Sequence, residues 1–274
     1  MPDLYIFCCA TVASLLIALS SPGGFLARRV ESVNSPVSVK DLANAGGLDL
    51  TFNLTGEKEI PISPTGGSAA SHDQVNGIAV QSDGKIVLTG YVRANINDTS
   101  SPEQIGVVRL NADGSMDTGF GNSGIVTTQA ATATINPNSR GQAVAIQADG
   151  KIVVAGMANA NTLLSQQDFA LVRYNVNGSL DTTFGSGGKV TGTFTSSGFT
   201  TTTASASSLL IQPDGKIVAG GMALNVPTST DFALARYNSD GSLDTTFGTG
   251  GKVTTDFGSI AEQSTGIAFL TDQG

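Results

Sequence analysis

The chain repeats itself. Residues 147–190, QADGKIVVAGMANANTLLSQQDFALVRYNVNGSLDTTFGSGGKV, have close copies that open at Gln81 and at Gln212. Asp83, Asp149 and Asp214 open Asp-Gly-Lys elements at spacings of 66 and 65, and Asp117, Asp181 and Asp244 mark Gly-Ser-x-Asp elements at spacings of 64 and 63. A repeat of this length restricts the chain to an array. Each copy has the same apolar surface to bury, and the next copy is what buries it.

Inside one copy the periodicity is that of strands, and no 3.6-residue period is present. Four strands are predicted, over 142–147, 151–157, 169–175 and 189–194. Asp149-Gly150, set between two apolar runs, predicts a type I′ hairpin, and Asn177-Gly178 supplies the next turn. Partial copies flank the three complete ones. Leu48-Asp49-Leu50-Thr51-Phe52 repeats the Leu-Asp-x-x-Phe element, with a fourth strand predicted over 57–62, and residues 265–274 repeat only a first strand and its turn. Together these make about fourteen strands. The expected fold is all-β: a β-propeller-like array of about three and a half four-stranded antiparallel blades, incomplete or open, since closed propellers use roughly four to eight.

The units DGKIVVAG, DFALVRYN and GSLDTTFGSGGKV, recurring together in each copy, resemble the delta-60 repeat, a bacterial family of tandem units. The resemblance covers residues 48–274. It implies a β-propeller-like fold in exported proteins largely without an assigned activity.

The N-terminus agrees with export. Residues 4–19 are about 16 apolar or small residues, short of the roughly 20 of a membrane span, and Ala18-Leu19-Ser20 has the small-x-small pattern of a cleavage site. Residues 1–20 are therefore expected to be a signal peptide, 21–45 a linker and 46–274 the repeat domain, in a secreted or cell-surface protein. The competing reading is a retained anchor flanked by Arg28 and Arg29. Cys8 and Cys9, the only cysteines, lie in this segment, so the repeats have neither a disulfide framework nor a cysteine zinc site. The net charge of −8, with scattered basic residues, argues against nucleic acid as a partner. Membrane contact is expected only through the N-terminal segment.

In an antiparallel blade alternate connections emerge at opposite edges. The first-to-second and third-to-fourth connections are near-identical among copies. The second-to-third connections (92–104, 158–168 and 223–231) and the fourth-to-first connections differ. The variable edge is the expected binding side for a protein or carbohydrate ligand, and Asn95, Asn97, Asp98, Asn159, Asn161, Gln166, Asn225 and Thr228 are its candidate contacts. Exposed strand edges at 57–62 and 265–270 predict edge-to-edge self-association.

No catalytic set can be assembled. His72 is the only histidine and is read as a solvated loop residue outside the repeats. Gly185-Ser186-Gly187-Gly188 lacks the strand-to-helix setting of a phosphate loop. Asp113, Asp117, Asp181, Asp240 and Asp244 sit in oxygen-rich turns, the arrangement calcium takes. Asx-turn formation is the favoured account of them, with no cofactor expected. Arg173, recurring as Arg109 and Arg236, is expected to pair with Asp181 of its own repeat. The expectation is a non-enzymatic binding scaffold. The alternatives are a propeller-type hydrolase or quinone-linked enzyme, and a structural segment of a longer surface protein.

Overall fold

A computed structural model describes residues 48–58, 60, 72–93, 101–135, 137–160, 166–194, 203–225, 229–256, 258 and 266–267, and the backbone of two short strands nearer the N-terminus. Those two, β1 (Leu4–Phe7) and β2 (Leu16–Leu19), pair antiparallel with Leu4 opposite Leu19. Three four-stranded sheets follow. The first is β3 (His72–Val80), β4 (Ile86–Arg93), β5 (Glu103–Leu110) and β6 (Ile125–Thr128). The second is β7 (Ser139–Ile146), β8 (Ile152–Asn159), β9 (Gln167–Tyr174) and β10 (Lys189–Gly192). The third is β11 (Ala204–Ile211), β12 (Ile217–Asn225), β13 (Ser229–Tyr237) and β14 (Lys252–Thr255). Each sheet is open and antiparallel, with its strands in chain order, and no helix occurs among the described residues.

Three expectations change. The Asp-Gly-Lys hairpins are not type I′: only the glycines, Gly84, Gly150 and Gly215, have positive φ, near +82°. Gly150 N–H donates to Gln147 O (2.9 Å) and Gln147 N–H to Lys151 O (2.8 Å). This is a type I turn followed by a left-handed glycine, which joins twisted strands as well as a primed turn does. His72 is not in a loop; its backbone opens β3 opposite Arg93, because β4 runs long enough to pair with it. Glu57, Lys58 and Ile60 form no strand. A fourth strand such as β6 exists by pairing with a third strand, and among the described residues none lies beside Glu57, Lys58 or Ile60. The edges predicted at 61–62, 265 and 268–270 fall outside the described residues.

The sheets stack face to face. β7 packs across β3, β4 and β5, and β11 across β7, β8 and β9. Val87, Ile105, Val107 and Phe120 of the first module meet Ile152, Val154, Val172 and Tyr174 of the second. One step on, Val153, Phe169, Leu171 and Phe184 meet Ile217, Ala233, Ala235 and Tyr237. The outer face of the first sheet is covered by Phe52 and Ile60. β8 is accordingly buried at every position, with a neighbour on both faces, whereas β13 alternates. Ala233, Ala235 and Tyr237 face the second module and are buried, while Leu234 and Arg236 are only half-buried.

Two tyrosines at the stacked interfaces differ instructively. Tyr174 Oη–H donates to Thr128 Oγ1 across the first interface (2.8 Å). At the second, Gly192 replaces that threonine and the buried Tyr237 hydroxyl has no partner among the described residues. Tyr174→Phe should cost about 1 kcal/mol, whereas Tyr237→Phe should be neutral or stabilising by a comparable amount, since it removes a buried group that forms no bond. Paired urea melts check both.

Candidate functional site

The two edges of the array do different work. At the uniform edge each module builds the same clamp. Arg109 Nε–H donates to Asp117 Oδ2, Arg173 Nε–H to Asp181 Oδ2 and Arg236 Nε–H to Asp244 Oδ2, each at 2.7 Å. The guanidinium lies over the phenylalanine of its own loop, 4.5 Å from Phe120, 4.5 Å from Phe184 and 4.6 Å from Phe247. The free guanidinium nitrogen then reaches the next module: Arg109 Nη1 donates to Val176 O (2.6 Å), and Arg173 Nη1 to Ser239 O. Backbone bonds run beside it, from Gly121 N–H to Asn177 O and from Gly185 N–H to Asp240 O, both at 2.8 Å. Asn53 N–H makes the same bond to Asp113 O. The arginine expected to bind its own repeat therefore binds two repeats at once.

The oxygen-rich turns are occupied from within. Asp113 Oδ1 accepts Ser115 N–H and Oγ–H, Asn177 Oδ1 accepts Ser179 N–H and Oγ–H, and Asp240 Oδ1 accepts those of Ser242. Asp117 Oδ1 accepts Gly119 N–H, while Asp181 and Asp244 use Oδ1 on Thr183 and Thr246. The Thr246 hydroxyl, Lys216 and Arg236 hold the Asp244 carboxyl far below the usual carboxylate range. For Asp181, burial works against ionisation, but Thr183, Lys151 and Arg173 outweigh it. Among the described residues no three His, Cys, Asp or Glu side chains converge. These side-chain-to-backbone bonds are those of Asx turns.

At the opposite edge the variable connections meet. Thr132 and Ala133 N–H, from the connection between the first two sheets, both donate to Asn159 O, and Thr132 Oγ1–H donates to Ala160 O. Asn159 N–H donates to Asn138 O, and Glu103 N–H to Asn138 Oδ1. One interface later, Leu224 N–H donates to Thr203 O. Both kinds of variable connection thus lie together at one edge. Of the candidate contacts, Asn159 is buried at the end of β8, and Gln166 is half-buried and accepts Ala160 N–H. Asn225 ends β12, with only its backbone described, and Asn95, Asn97, Asp98, Asn161 and Thr228 fall outside the described residues.

Charged groups absent from the sequence reading brace this edge. Glu103, 2 % exposed, takes Arg93 Nη2 at 2.8 Å and is forked by Arg140 from the second sheet, whose guanidinium also lies 4.6 Å from the Tyr91 ring. Asp168 is buried in the second interface, where Oδ2 accepts Thr193 Oγ1–H (2.9 Å) and Oδ1 has no partner among the described residues. Their signal is faint, because none of these residues recurs in all three copies at the same position.

Residues 81–120, 147–184 and 212–247 match a family described as a domain of unknown function (DUF5122) beta-propeller. The array is of the β-propeller kind. Each matched stretch runs from the Asp-Gly-Lys hairpin to the clamp phenylalanine, Phe120, Phe184 or Phe247. Each stretch thus holds the two central strands of its sheet and the clamp, the part of the module that carries the recurring geometry. No curated protein matches the chain.

Asp168 gives a pH test of the propeller's second interface. Burial raises its carboxyl pKa, with Thr193 and Lys252 opposing. A carboxyl whose folded pKa lies above its unfolded value of about 3.9 costs stability as pH rises and it ionises. Asp168→Asn should therefore melt above the wild type at pH 7, with the gap closing as pH falls towards about 4. A gap that widens on acidification would overturn this reading of Asp168.

Proposed function

We propose that this β-propeller repeat is an exported, non-enzymatic binding scaffold of the delta-60 repeat kind. Its diverse edge takes a protein or carbohydrate ligand. One observation carries the reading: both classes of variable connection gather at a single edge, around Asn138, Asn159 and Thr203, while the recurring clamps hold the other. Rigid modules that present divergent loops on one side suit recognition of varied surfaces. Export rests on the apolar segment 4–19 and the Ala18-Leu19-Ser20 pattern.

Glycan arrays and cell-surface capture with the full chain test the reading. A Gly-Ser replacement of residues 160–166 should abolish any captured ligand while leaving the melting temperature within a few degrees. Binding that survives this replacement but is lost when the clamp edge is altered would place the function elsewhere. Calcium has no part in this account. Melts with calcium and with EDTA should coincide, and an upward shift of several degrees with calcium would contradict it.

A further inference from the structure

The repeat makes the molecule its own control, and one member of each set is left over. Phe120 lies against Gly178 of the next module's turn and Phe184 against Gly241, and both phenylalanines are fully buried. Phe247 is only half-buried. Arg109 and Arg173 side chains are each 6 % exposed, but that of Arg236 is 22 % exposed. Arg236 keeps its bonds to Asp244 and Thr246, yet among the described residues its Nη1 has no carbonyl, and Gly248 N–H has none of the kind that Gly121 and Gly185 donate to. Val218 and Leu234 extend the same surface. Their counterparts Val153 and Leu171 are fully buried under the third sheet, whereas they are half-buried.

We infer that this face of the third module is a docking site for a β-hairpin of the same repeat. Such a hairpin is an extended segment with apolar residues on one face that ends in an Asn-x-Asn/Asp-Gly-Ser turn. The surface continues two interfaces already formed in the molecule, and those interfaces specify the ligand atom by atom. The carbonyl of the residue after the first Asn accepts from Arg236 Nη1. The next carbonyl accepts from Gly248 N–H. The turn glycine, whose missing Cβ leaves room for the ring, receives Phe247. Ile267 already lies over Gly220 on this sheet. It stands at the sequence position of Val144 and Leu209, first-strand residues that pack into the two formed interfaces. Ile267 thus sits where a first-strand residue packs in the formed interfaces, and the ligand inferred for the rest of the face is a second and third strand with their turn.

A synthetic peptide of residues 149–185 of this chain, which carries those strands and the Asn175–Gly178 turn, is the probe. Titrated into the full-length protein and read by calorimetry, it should bind one to one. Arg236→Ala should weaken binding about tenfold or more. The same peptide with Gly178→Val should fail against the wild-type protein, a comparison that does not depend on any protein variant folding. Arg109→Ala, at an interior interface, should lower the melting temperature without that tenfold loss. Absence of binding, equal binding by Arg236→Ala, or equal binding of the Gly178→Val peptide overturns the inference. So does concentration-dependent dimerisation of the protein alone that Arg236→Ala abolishes, because the occupant would then be a second copy.

Discussion

Replacing Arg173 by alanine should lower the unfolding free energy by about 3–5 kcal/mol, the loss expected when one partner of a buried ion pair is removed. Arg173 is 5 % exposed and joins three things: Asp181 at 2.7 Å, the Phe184 ring at 4.5 Å and the Ser239 carbonyl of the next module. Truncation leaves Asp181 buried with Lys151, 3.0 Å away, as its remaining cation. It also leaves the Ser239 carbonyl without its donor. The pH dependence follows from the depressed pKa of Asp181. A carboxyl held below its unfolded value of about 3.9 contributes stability that is present above that value and is lost as pH falls through the folded pKa. The Arg173→Ala deficit should therefore be constant between about pH 5 and 8 and shrink only in strong acid. Urea unfolding at several pH values measures it. A deficit under about 1 kcal/mol would mean that the clamp is a surface ion pair of little weight.

Gly156→Ala should be as damaging for a different reason. Gly156 is in the middle of β8, and a Cβ there would stand 1.9 Å from Arg140 O, with Gly90 and Gly221 in the same position at 1.7 Å from Gln74 O and 2.0 Å from Ser205 O. The cause is a register shift in each first strand, between Val75 and Gly77, Gly141 and Ala143, and Ala206 and Ser208. The bulge presses a carbonyl towards the neighbouring strand. The atom in the way is backbone, so no rotamer relieves the overlap, and the ladder must open locally at a cost of about 3 kcal/mol or more. Gly187→Ala is the comparison. A Cβ there meets nothing, and the cost should be only the roughly 1–2 kcal/mol of a left-handed φ of +60°. Equal losses at the two positions would remove the bulge from the account.

The sequence announces the modules because every copy must bury the same surface, so apolar runs, turn glycines and the Arg–Asp spacing recur together. The four strands placed in the middle copy fall within about three residues of their expected bounds, and the other two sheets repeat the same four. What stayed hidden is what depends on the neighbour. The hairpin type is decided by a single left-handed glycine, and the dipeptide alone does not distinguish that from a primed turn. The bulges left a trace in the recurring mid-strand glycines Gly90, Gly156 and Gly221, a signal that marks close backbone approach. The inter-module reach of Arg109 and Arg173 was concealed because an arginine eight residues before an aspartate suggests a pair within one repeat, and that pair forms too. Glu103 occurs once at its position, and Asp168 recurs only as Asp231, with Gln104 in the first copy, so repetition gave them little emphasis.

The most direct measurement is amide hydrogen exchange resolved to single residues. If modules are locked to their neighbours by the arginine clamp and its companion backbone bond, the amides of Gly121 and Gly185 exchange slowly and that of Gly248 exchanges fast. Arg173→Ala should release Gly185 while Gly121 stays protected. Equal protection at all three glycines, or a Gly185 amide that remains slow in Arg173→Ala, would contradict the account.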